Sequence, residues 1–180
     1  MESPSRKWKT VFIKALAVQG VFMVLHFAYD WFPNPIVGLF SGTSEAVFQH
    51  MKIGFYSYAL VSFLEGWLER KGIDRMAEYA FARVTSTVFY PWFMFIIFYA
   101  PTAFYGKYQS DLTEIISANV VLFLNSICAV VLEQELEGIK LSREFKWMMA
   151  ILALILLSLF VIFSFQNPWY DVFTIPPGWE

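Results

Sequence analysis

Five apolar stretches separated by short polar connections set the pattern of this chain. They run from about Trp8 to Tyr29, Glu45 to Leu68, Met76 to Ala100, Leu112 to Leu132 and Phe145 to Phe165. Each reaches the roughly 20 residues that a helix needs to cross a hydrocarbon layer ~30 Å thick. Backbone N–H and C=O groups find no water there, so a spanning segment satisfies them as a helix. The pattern predicts an all-α, polytopic integral membrane protein: a single domain over residues 1–180, built as a bundle of five transmembrane helices.

The connections fit that reading. Asp30 to Thr43 holds Pro33, Pro35, Gly38 and Gly42, which interrupt regular structure. It also holds Ile36, Val37, Leu39 and Phe40, which predicts a segment folded back onto the bundle or the interface. Glu69 to Asp74 is a short charged turn, Pro101 to Asp111 is polar and aromatic, and Gln134 to Glu144 is charged, with Gly138 as the expected helix terminator. Trp169, Tyr170 and Trp179 in the tail suit the aromatic belt of a membrane–water interface. Arg6, Lys7 and Lys9 precede an apolar run as in a secretory signal. That run, Val11 to Ala28, is long for one and no small-x-small site follows, so it reads as a retained first span.

Positive charge orients the chain. Eleven of the thirteen Lys and Arg residues lie near the N-terminus or around the second and fourth connections, which five spans place on one side. Lys107 is on the other side and Lys52 is inside a span. The N-terminus is therefore expected in the cytoplasm and the C-terminus outside, in a multi-pass cell-membrane protein.

Composition sharpens the picture. Charged residues make up 16% of the chain, against about 25% in soluble domains. A net charge of −2 gives no basic surface for a nucleic-acid partner. The single cysteine, Cys128, rules out a disulfide framework or a Cys-based zinc site and reads as an inert packing residue. No internal repeat is visible, and five spans do not divide into the inverted halves common in transporters.

Polar residues within the spans carry the candidate chemistry, because an ionisable group at mid-membrane costs roughly 2.5–3.5 kcal/mol on insertion scales. In the first span Gln19, His26 and Asp30 share a stripe, so Asp30 can orient the His26 imidazole or share a cation with it. In the second, Glu45, Gln49, Lys52 and Tyr56 share a stripe. At ~100° per residue His50 lies about 140° round from Glu45, which keeps the two from gripping one small ion on a continuous helix. Ser44 is the expected N-cap, with Glu45 at the positive end of the helix dipole. Lys52, roughly 10 Å deeper, is expected to reach back to Glu45, Gln49 or Asp30.

In the third span Arg83, Thr87 and Tyr90 align, and Pro91 frees the Thr87 carbonyl from its helical partner. In the fourth, Asn119, Ser126, Glu133 and Glu137 form a stripe through most of the layer. Glu65 is expected to face Glu133 or to pair with Arg83. The fifth span has little but Ser158 and Ser164 to interrupt it, and is expected to face lipid or a second protomer in a homo-oligomer. Each cluster also has a structural explanation: a satisfied interior histidine, an N-terminal charge on a helix dipole, or an ion pair that locks the bundle.

Two motifs stand out, Leu25-His26-Phe27-Ala28-Tyr29-Asp30-Trp31 and Glu45-Ala46-Val47-Phe48-Gln49-His50-Met51-Lys52. Together with Asn34 to Ser41 between them, they resemble an uncharacterised family of small bacterial and archaeal membrane proteins known only as a domain of unknown function. That family's pattern is His-Phe-x-Tyr-Asp/Glu-Trp, then Asn-Glu-Ser-x-Trp-Glu-His-x-Lys. The resemblance implies that His26, Asp30, Glu45, His50 and Lys52 belong to its signature. Ser44, Ala46, Phe48 and Gln49 depart from it, and Gln49 replaces a carboxylate.

The candidates for a ligand-binding site or ion pathway are thus His26, Asp30, Glu45, Gln49, His50, Lys52, Tyr56, Asn119, Ser126 and Glu133. The favoured reading is transport of a small solute or ion, or binding of a small polar ligand. An intramembrane enzyme acting on a lipid or isoprenoid is the first alternative, with His26 and Asp30 as general base and Lys52 or His50 holding an anionic head group. The His-Glu-x-x-His and Gly-x-Ser-x-Gly patterns are absent, as is a Gly-rich phosphate loop. A Zn-like site from His26, Asp30, Glu45 and His50 has suitable donors, but the angular offset and Gln49 count against it. A structural or accessory subunit is the remaining alternative. No catalytic residue or cofactor follows from the pattern.

Overall fold

A computed structural model describes residues 4–166 apart from 74, 107 and 109, together with 168 and 171–174. Lys107, Trp169, Tyr170 and Trp179 lie outside the described residues. Every regular element among the described residues is helical: α1 (Pro4–Trp31), α2 (Pro35–Phe40), α3 (Val47–Glu69), α4 (Met76–Tyr105), α5 (Asp111–Glu137) and α6 (Arg143–Phe163), with single 3₁₀ turns at Arg70–Gly72 and Asp171–Phe173. Four of the five long helices, α1, α4, α5 and α6, are long and apolar enough to cross a membrane. With 23 residues α3 has the length, but Gln49, His50, Lys52 and Glu65 dilute its apolar content.

Successive long helices run in opposite directions. Lys14 near the start of α1 meets Glu65 near the end of α3 and Glu133 near the end of α5. Arg83 near the start of α4 meets the same two carboxylates. At the start of α6, Lys146 lies 3.7 Å from Glu78 at the start of α4. Helices α1, α3, α4 and α5 form a four-helix bundle in which α4 touches both α3 and α5, and α1 closes the ring. Its core includes Val11, Val18, Phe22, Ile53, Tyr58, Tyr90, Leu122 and Val130.

α6 packs outside this bundle against α4, and an aromatic cluster ties it to α3: Phe160 against Phe48, Phe55 and Tyr56. The remaining surface of α6 exposes Met148, Ile151, Leu154, Ile155 and Ile162, as the sequence pattern led us to expect. The most enclosed helix is α3, since residues from Val47 to Ser62 are buried around much of its circumference. Such a helix needs fewer apolar residues than one facing lipid, because its polar side chains meet protein.

Close approach makes the enclosure possible. A Cβ on Gly54 would stand 2.6 Å from the Tyr90 ring, so a side chain there would push α3 off α4. Tyr90 is fully buried, and its hydroxyl lies 2.9 Å from Ser126 Oγ. Pro91 does not end α4, which continues past the expected boundary at Ala100, through Pro101, to Tyr105. Immediately before Pro91, the Tyr90 carbonyl accepts from Asn125 Nδ2 at 3.3 Å. α5 stops at Gly138, the expected terminator, in ordinary right-handed backbone. Cys128 is exposed on the outside of α5, so the expected packing role is corrected.

The segment between α1 and α3 does fold back. Asn34 caps α2 by accepting from the Ile36 and Val37 amides, both at 3.1 Å. Ser41 accepts from the Tyr29 amide and donates to the Leu25 carbonyl, fastening the segment to the last turns of α1.

Candidate functional site

At the C-terminal end of α1 and the N-terminal end of α3, three side chains converge. Glu45 Oε2 lies 3.4 Å from His50 Nε2, and Glu45 Oε1 lies 3.8 Å from His26 Nε2. One potential ligand atom from each of the three falls within 4.8 Å of the other two. The expectation that Glu45 and His50 point apart fails because α3 begins at Val47, later than the sequence reading placed it. Ala46, not Ser44, is the N-cap, in extended backbone without a side-chain cap. Glu45 is therefore free of the helical angle and turns back over the first turn.

His50 is oriented by its own helix. Its Nδ1 lies 3.0 Å from the Ala46 carbonyl, which can only accept, so Nδ1 carries a proton and Nε2 faces Glu45. The Phe22 ring stacks on both imidazoles and forms an apolar floor. His26 Nδ1 is buried with no hydrogen-bond partner. Glu45 is half-exposed at 44%, so the cluster opens outward. The hydrogen bond with His50 is the main effect holding the Glu45 carboxyl below its usual range, against the opposing effect of partial burial. Asp30 is exposed at the rim, one turn beyond His26 and outside the three-residue cluster.

Other candidates lie elsewhere. Lys52 does not reach Glu45, Gln49 or Asp30. Fully buried, its ammonium donates to the Gly38 carbonyl at 2.7 Å and to Ser164 Oγ at 2.8 Å. Both acceptors lie at helix ends, where a cation meets the negative end of the dipole. Lys52 thus clamps α2 and α6 onto α3. Tyr56, on the same face, belongs to the aromatic cluster with Phe40 and Phe160. Gln49 is buried, and its Oε1 has no partner.

At the opposite end of the bundle is a charged network whose full extent the sequence did not reveal. Lys14 donates to Glu65 at 2.5 Å and to both oxygens of Glu133 at 2.6 and 2.8 Å. Arg83 donates to Glu65 from Nε and Nη2 and also to Glu137. Tyr58 donates to Glu133 at 2.7 Å. Glu65 thus meets Arg83, as expected, and reaches Glu133 through Lys14. The sequence pattern gives Lys14 only the role of an orienting charge and gives Tyr58 none. The signal available was a lysine placed well inside an apolar run. Of the α5 stripe, Ser126 and Glu133 are buried in the bundle, while Asn119 sits nearer its surface and accepts from Gln19 Nε2 at 3.2 Å.

No curated protein and no solved structure matches the chain significantly. One family model matches residues 1–175, nearly the whole chain, and its description is that of a family of unknown function. The all-helical bundle and the two motifs around the His26–Glu45–His50 cluster thus belong to a chain that is a member of the DUF6512 family.

Proposed function

We propose that this is a five-span membrane protein, with its N-terminus in the cytoplasm, that binds a small polar or ionic ligand on the outer side, where α1 ends and α3 begins. The span beyond the four apolar helices is α3, whose 23 residues cover about 35 Å at ~1.5 Å per residue. The alternating helix directions and the gathering of Lys14, Arg83 and Lys146 at one end support the orientation.

The observation that carries the binding reading is the convergence of His26, Glu45 and His50 from two helices and a linker into a half-open cluster. The inner network is different in kind, because each charge there already has opposite-charge partners. Binding is favoured over passage through the bundle because the buried Tyr90 hydroxyl, midway between the two ends, is taken up by Ser126, and the charges of the inner network are taken up by one another. A lipid-directed enzyme is less well supported. The ≈ 660 Å³ groove between α3, α4 and α6 is lined by residues such as Phe63, Trp67 and Arg83, none of them from the outer cluster.

Thermal-shift measurements on the full chain in detergent, against a panel of small cations, anions and zwitterions, test the reading. At least one compound should raise the melting temperature of the native protein and not that of Glu45→Gln. A panel that shifts both proteins equally, or neither, defeats the proposal.

A further inference from the structure

Resting on the outer site as a place of binding, we infer that its ligand is a divalent transition-metal ion of the zinc class, held by His26, Glu45 and His50. The first argument is the orientation of His50. Its Nδ1 proton is committed to the Ala46 carbonyl, which leaves Nε2 as the ring atom turned to Glu45 Oε2, 3.4 Å away. An imidazole that donates one nitrogen to a backbone carbonyl and offers the other outward is the usual arrangement of a metal-bound histidine.

Spacing is the second argument. Four-coordinate zinc with bonds of about 2.0–2.2 Å sets its donor atoms roughly 3.3–3.5 Å apart. The two Glu45 contacts, 3.4 Å to Oε2 and 3.8 Å to Oε1, are near that value, and one ligand atom from each of the three residues lies within 4.8 Å of the other two, so side-chain rotation is what closes the site. The third argument is donor chemistry. Two imidazoles and one carboxylate select zinc, iron, cobalt or nickel over magnesium or calcium, which prefer all-oxygen shells. An organic ammonium would use the carboxylate and have no need of two imidazole lone pairs. Two neutral imidazoles and one carboxylate carry a single negative charge, so a divalent ion leaves one positive charge for water or an anion. Three protein donors are one short of a closed structural zinc site, which leaves a position for water or an anion.

Full-length protein, stripped with a chelator and then dialysed against Zn²⁺ or Co²⁺, provides the test. The expected result is one equivalent of Zn²⁺ per chain by elemental analysis and visible d–d absorption from bound Co²⁺. A tenfold excess of Mg²⁺ or Ca²⁺ should displace neither. Glu45→Gln should weaken binding more than about 100-fold, beyond the roughly 10–100-fold cost of losing an outer-shell partner. Glu45 lies in a linker, so this variant is expected to keep the native size-exclusion profile; His50→Ala should remove the Co²⁺ spectrum. Zn²⁺ uptake that is absent, or equal in native protein and both variants, overturns the metal assignment. If a non-metal compound still stabilises native protein and not Glu45→Gln, the metal assignment alone has failed. If none does, the binding site has failed with it.

Discussion

Lys14 Nζ lies 2.6 Å from Glu133 Oε1, joining the first helix to the fifth across 119 positions of chain. Both side chains are buried, and Glu133 is only 2% exposed. Each also has a second partner, Glu65 for Lys14 and Arg83 for Glu133, so the pair is the centre of a network. Removing Lys14 leaves the carboxylates of Glu65 and Glu133 to Arg83, and breaking a buried pair costs about 3–5 kcal/mol.

Lys14→Met should therefore be the most destabilising of the substitutions considered below, by about 3–5 kcal/mol in denaturant-induced unfolding in detergent. The double variant Lys14→Met/Glu133→Leu should recover a large part of that loss, since it removes one charge of each sign and leaves Arg83 paired with Glu65 and Glu137. A loss in the double variant equal to the sum of the losses of Lys14→Met and Glu133→Leu would show that the pair is not coupled.

Gly54 and Gly20 make a matched test of helix packing. Gly54→Ala drives a methyl group into the Tyr90 ring and should cost about 1–3 kcal/mol. Gly20→Ala has nothing within 4 Å and should be neutral or stabilising by about 0.5–1 kcal/mol, from helix propensity alone. Melting temperatures that move together would contradict the close α3–α4 contact.

Lys52→Met should act locally. Among the described residues its ammonium has no carboxylate partner, so an apolar replacement also relieves a desolvation cost. Global stability should fall less than with Lys14→Met, while α2 and the end of α6 lose their common anchor. Faster hydrogen exchange confined to Pro35–Phe40 and the residues around Ser164 is the expected readout; uniform acceleration over all helices would count against a clamp.

Cys128 reports on the membrane. It is exposed on α5, near the middle of that helix. A charged maleimide should leave it unlabelled in lipid nanodiscs, whereas a small apolar maleimide should react. Rapid labelling by the charged reagent in nanodiscs would place this face of α5 in water.

The helical class and the approximate limits of the long helices were readable along the chain because both have local causes. Apolar runs of about 20 residues and their polar breaks are properties of neighbouring residues, and a bilayer-length helix satisfies its own backbone. The fold-back of residues 34–41 was readable too, since Asn34 caps the very helix that Pro35 starts. The convergence of Glu45 with His26 and His50 was hidden, because helical periodicity was applied to a residue that stands just outside the helix. The partners of Lys52 were hidden for another reason: they are a main-chain carbonyl and a serine at two helix ends, brought there by packing. Charge, length and apolarity are carried by individual residues and survive in one dimension. Which polar atoms meet depends on where each helix starts and which face it turns inward, and those follow from the balance of all the contacts at once.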